Sequence, residues 1–227
     1  MTTDFAVLFG WEVSVVSAMV VAVGTGSLVA GPALLAAAKR TTGTALVTGL
    51  WAQVAVAATM SAATVAASWI GWLRLGATPS WPVWCWACAL GIGLALTDLR
   101  CRRLPFPMVT ALAGGCAILF FGIALMDRAW SRFGFACVAA VVIYGLVSLV
   151  QICAPNHTGG GDTALYGALA LFLGWFGWDG LLRGLLFASG LTAVIALVVA
   201  VSSKSKHATF AAGPSLLGGA LASVVVA

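Results

Sequence analysis

Not one charged residue interrupts this chain from Phe106 to Met126, nor from Phe133 to Cys153, and comparable apolar runs recur along its whole length. A helix needs about 20 such residues to cross the ~30 Å hydrocarbon core of a bilayer. That core holds no water to satisfy backbone groups, so only helices or a closed barrel can span it. A barrel strand alternates apolar and polar residues; these runs do not. The expected fold is therefore an all-α polytopic bundle of transmembrane helices. It forms a single membrane domain over 1–227, with no soluble domain. Composition agrees: 62% of the 227 residues are hydrophobic and 7% charged, where soluble domains are about a quarter charged. The apolar pattern predicts eight spans: Val13–Ala38, Ala45–Leu73, Trp81–Thr97, Phe106–Met126, Phe133–Cys153, Thr163–Trp178, Leu181–Val201 and Ala208–Ala227.

The net charge of +5 would suggest nucleic acid as the partner of a soluble protein. Here the basic residues fall in short loops, so the lipid bilayer is the expected partner and no nucleic acid is. Sorting alternate loops puts Lys39, Arg40, Arg100, Arg102, Arg103, Lys204 and Lys206 on one side, and Arg74, Arg128, Arg132 and Arg183 on the other. The richer side is expected to be cytoplasmic, with both termini outside. Asp4, Glu12, Asp127 and Asp179 then lie outside, and only Asp98 and Asp162 face the cytoplasm. The N-terminus lacks the early basic residues of a cleavable signal peptide. Trp69, Trp72, Trp81, Trp84, Trp130, Trp175 and Trp178 cluster at the outer edges, as an interfacial aromatic belt would. Gly180, Gly184, Gly218 and Gly219 suit close helix packing. The six cysteines lie mostly in apolar segments and read as small hydrophobes. Cys85 and Cys88 form one CxxC with no second pair, so neither a metal nor a cofactor is expected. His157 and His207 read as solvated loop residues. Asn156-His157-Thr158 fits a glycosylation acceptor pattern that is common by chance.

Asp98, in "TDLRCRRLP", and Asp162, in "TGGGDTALYG", each stand where an apolar segment meets a polar loop. Ionisable groups at the membrane are costly to desolvate and read as functional by default. Two neighbouring carboxylates resist double ionisation and tend to share one proton. One can then act as general base on a water while the other protonates a carbonyl, as aspartic proteases do. Gly159, Gly160 and Gly161 have no side chains to hold an extended peptide away from Asp162, and glycine can adopt backbone conformations barred to other residues. The plainer readings make Asp162 a helix N-cap, Asp98 an ion-pair partner of Arg100, Arg102 or Arg103, and the glycine run a flexible turn.

At these residues the chain resembles the type IV prepilin peptidases, membrane aspartic proteases with a GxGD signature. "TDLRCRRLP", ending in Leu104-Pro105, is similar to the family's first motif. "GGGDTALYGALALFLGW" is similar to its second, with Gly159, Gly161 and Asp162 in register. "FAAGPSLLGGA" (Phe210–Ala220) is similar to its final apolar segment. Order and spacing also fit, over 81–227. The resemblance implies an aspartic endopeptidase that removes the basic leader of prepilins or pseudopilins at the cytoplasmic membrane face, in a bacterial inner membrane. Asp98 and Asp162 would be its catalytic pair, and Gly159 to Gly161 its substrate-cleft backbone.

Three departures accompany it. Ala164 stands where the family usually has Lys, and Phe106 where it often has Asn or Asp. "KRTTGT" replaces the cytoplasmic insertion with two CxxC pairs that many members carry. A short form without the zinc-bearing insertion is expected, without methyltransferase activity. Ala164 and Phe106 equally suit a catalytically degenerate scaffold. A cation- or proton-coupled transporter is the other alternative; acids deep in several spans and inverted repeats would favour it, and neither is evident. The particular pilin and the oligomeric state are not written in these residues.

Overall fold

The computed structural model describes Ala36, Arg40 and residues 50–76, 78–102, 104–153, 159–203 and 212–226. All secondary structure in these residues is helical: α1 (Leu50–Leu75), α2 (Trp81–Cys101), α3 (Phe106–Asp127), α4 (Trp130–Cys153), α5 (Gly160–Gly174), α6 (Gly177–Ser203) and α7 (Gly213–Val226). Helices α1, α2, α3, α4 and α6 are long and apolar enough to cross a membrane, which makes this a multi-pass membrane protein. Apart from Ala36, the Val13–Ala38 segment lies outside the described residues, as do Asp4, Glu12, Lys39, Arg103, His157, Lys204, Lys206 and His207.

Local chemistry sets the helix ends. Trp81-Pro82, Phe106-Pro107 and Gly213-Pro214 each place proline second in a helix, where its missing N–H has no intrahelical partner to lose. At the other ends of α2 and α3, Arg102 and Arg128 take the left-handed conformation with φ of 50° and 55°. Arg102 N–H closes the last turn of α2 onto the Asp98 carbonyl at 2.7 Å. Helix α2 therefore runs four residues past the expected end at Thr97, and Asp98 sits within its last turn. Residues 98–101 look like a loop by polarity, yet their backbone still bonds as helix.

Helix α5 is short, 15 residues or about 22 Å, and occupies the middle of the bundle. It packs against α3, α4, α6 and α7. Nearly every residue from Leu165 to Gly174 is buried, the pattern of a helix apolar all round. The core centres on Phe172, Phe120 and Trp175; the last two stack with centroids 4.4 Å apart and planes 9° from parallel. Helices α4 and α6, by contrast, present exposed valines and leucines such as Val138, Val141, Leu186 and Val198, the surface expected to meet lipid.

Glycines permit the closest approaches. A Cβ on Gly184 of α6 would collide with the Leu173 side chain of α5, and one on Gly219 of α7 would stand 2.6 Å from the Ala188 backbone. Gly180 meets Phe176 in the adjoining turn, and Gly218 is nearly open. The tryptophan belt needs correction. Trp69, Trp130 and Trp178 are exposed, but Trp81, Trp84 and Trp175 are buried. Their indole N–H groups donate to Ser68 O, Ala67 O and Ser80 Oγ. A tryptophan with an internal acceptor gains more from the core than from the interface.

Candidate active site

Asp98 lies in the last turn of α2 and is 5% exposed. A carboxylate so buried needs a donor. The donor is the first residue of α7: Gly213 N–H reaches Asp98 Oδ2 at 2.7 Å. A Cβ on Gly213 would lie 2.8 Å from the same oxygen, so this approach requires glycine. The start of α7 also brings the positive end of its helix dipole to the carboxylate. Asp98 is thus held by a helix N-terminus; Arg103, one of its expected ion-pair partners, lies outside the described residues.

After Arg102 the chain turns through Leu104-Pro105 into α3. Leu104 lies on the start of α5: a Cβ on Gly161 would stand 2.7 Å from Leu104 Cβ and 3.0 Å from its carbonyl oxygen. The loop that follows the first aspartate is thereby clamped to the turn that carries the second.

Asp162 is in the first turn of α5, half-buried. The N-cap is Gly159, which corrects the expectation that Asp162 would fill that role. Asp162 stands three residues on and accepts a backbone hydrogen bond from Gly159, half of a capping box. The glycine run is the helix start, not a free turn. Gly160 and Gly161 are helical, and the positive-φ glycines among the described residues are Gly76 and Gly177. What the run supplies is the absence of side chains, not left-handed backbone. Beside it, Thr163 Oγ1 donates to Gln151 Oε1 at 2.8 Å and ties α4 to α5.

The two aspartates, on helices far apart in sequence, lie at one end of the bundle, joined through Leu104, which packs on Gly161. Two helix N-termini, those of α5 and α7, converge on them and temper their repulsion. The arrangement sets two carboxylates at one end of the bundle beside a backbone stripped of side chains. Phe106 is exposed and Ala164 half-buried. Among the described residues, no three His, Cys, Asp or Glu side chains gather to hold a metal ion. All six cysteines are unpaired thiols, with Cys85, Cys88 and Cys116 buried.

Comparison with protein-family models, curated proteins and solved structures gave no match.

Sequence reasoning missed the role of Gly213. Its one sequence signal is a glycine directly before the proline that opens the last apolar segment. Gln151 and Thr163 gave no signal: each is an ordinary polar residue until α4 and α5 are side by side.

Proposed function

We propose that this chain is a membrane aspartic endopeptidase that removes the basic leader from prepilins or pseudopilins. The observation that carries the proposal is that Asp98, in the last turn of α2, and Asp162, in the first turn of α5, stand at the same end of the bundle, with the Leu104 turn that follows Asp98 packed on Gly161 beside Asp162. The motif resemblance supplies the substrate class. In this reading the chain crosses a bacterial inner membrane eight times, with α5 and α7 as its short spans and the aspartates at the cytoplasmic face.

The reaction uses water as the nucleophile. The ionised aspartate removes a proton from water as its oxygen attacks the scissile carbonyl carbon. The protonated partner donates its proton to the carbonyl oxygen. When the tetrahedral intermediate collapses, the C–N bond breaks and the amine leaves with a proton from the pair. The pair titrates as a unit, so acid and base belong to the pair rather than to either residue. The leader lies along Gly159 to Gly161, and the pilin's apolar helix enters sideways from lipid.

Co-expression with a candidate prepilin tests this. The intact chain should remove the leader, and Asp98→Asn and Asp162→Asn should each abolish removal while remaining inserted. Normal processing by either variant contradicts the proposal. Failure of the intact chain on every prepilin encoded beside it favours the degenerate scaffold that Ala164 and Phe106 suggest.

A further inference from the structure

The short central helix leaves space at the end of the bundle away from the aspartates. Helices α3 and α5 start at the same end, but α3 has 22 residues and α5 has 15, a difference of about 10 Å. Helix α5 therefore stops below the far rim, where the chain turns back through Gly177 at φ +82°. Above that turn lies a cavity of about 750 Å³ lined by Asp127, Arg132, Ser80, Trp175 and Phe176 among others. This is within the range of small-ligand sites. A second cavity of about 260 Å³ adjoins it, sharing Leu75 and Phe176, and is lined by Arg74 and Arg183.

Three arginines and one aspartate thus surround the end of α5. Arg183 donates through Nε to the Asp179 carbonyl, and no carboxylate among the described residues pairs with Arg74, Arg132 or Arg183. The described lining carries a net double positive charge. Exposed Trp69, Trp130 and Trp178 put this end of the bundle at the level of lipid headgroups. In the orientation proposed above it is the outer face, where basic residues are disfavoured. Three of the four arginines on that face line these two cavities. A bound anion would explain why they are there.

We propose that the two adjoining cavities bind the phosphodiester headgroup of an anionic phospholipid. Arginine matches phosphate through its planar fork of donors. The net charge selects an anionic headgroup over a zwitterionic one. The apolar walls, Leu75, Ile123 and Phe176, accept the first carbons of the acyl chains. A free phosphate shares the anionic chemistry but gains nothing from those walls. The site is separate from the aspartates and stands whether or not they are catalytic.

The test uses the purified full-length chain, stripped of lipid in a neutral detergent. It is titrated with dihexanoyl-phosphatidylglycerol, dihexanoyl-phosphatidylcholine or inorganic phosphate while tryptophan fluorescence follows thermal unfolding. Phosphatidylglycerol should raise the unfolding temperature with half-saturation at a concentration at least tenfold lower than either of the others. The combined change Arg74→Gln, Arg132→Gln and Arg183→Gln should weaken that response at least tenfold, and Asp127→Asn should leave it unchanged or strengthen it. If the triple variant fails to fold, Arg183→Gln alone and Asp127→Asn should still move the half-saturation point in opposite directions or leave only the latter unmoved. Equal responses to the two lipids overturn the proposal. So does inorganic phosphate acting as well as the lipid, or an Arg183→Gln response equal to wild type.

Discussion

Neighbouring glycines at the start of α5 should respond oppositely to the same substitution. A methyl group on Gly161 meets Leu104 Cβ at 2.7 Å and the Leu104 carbonyl oxygen at 3.0 Å, and backbone cannot swing aside as a side chain can. Overpacking of this kind costs about 1–3 kcal/mol. A methyl group on Gly160 finds its nearest neighbour, Gln151 Nε2, at 3.8 Å, an ordinary contact. Both positions are helical without positive φ, so alanine at 160 keeps only its entropic advantage in the unfolded chain, about 0.4–1 kcal/mol. Gly161→Ala should therefore be destabilised relative to Gly160→Ala by roughly 1–3 kcal/mol, the overpacking cost alone, because the entropic gain is common to both variants. For a protein of this size that is about 2–12 °C in unfolding temperature. Thermal unfolding of the two variants in one detergent, followed by tryptophan fluorescence, measures the gap. Equal unfolding temperatures, or a less stable Gly160→Ala, would refute the clamp between Leu104 and the start of α5.

A second outcome follows from the site. Gly213→Ala places Cβ 2.8 Å from Asp98 Oδ2 and strains a hydrogen bond to a charged acceptor. It should cost about 1.5–3 kcal/mol in chemical unfolding, and a neutral result would remove Gly213 from the site.

The helices were legible because a bilayer leaves few alternatives. Phe106 opens α3 where the apolar run begins, and Cys153 closes α4 where it ends. The end of α2 was not legible, because "DLRC" reads as a loop by polarity while its amides continue the helix to Arg102. The buried tryptophans were misplaced for a related reason. An indole suits the interface or a core acceptor equally well, and only the position of Ala67 O or Ser80 Oγ decides. Both aspartates were visible as rare charges, and the alternation of spans put them on one side. Gly213 was not, because its partner Asp98 is 115 residues away and the need for glycine arises only when α7 meets α2. The glycine run was noticed for its missing side chains and for its backbone freedom, and the structure uses the first without the second.

Proximity of Asp98 and Asp162 is best tested by chemical cross-linking across them. In a chain whose six native cysteines are alanine, Asp98→Cys and Asp162→Cys are combined and treated in membranes with a short thiol-to-thiol reagent. A cross-link joining the two segments after proteolysis between them is the expected result. Two freely labelled thiols with no cross-link, one of them reached only from the opposite side of the membrane, would contradict it.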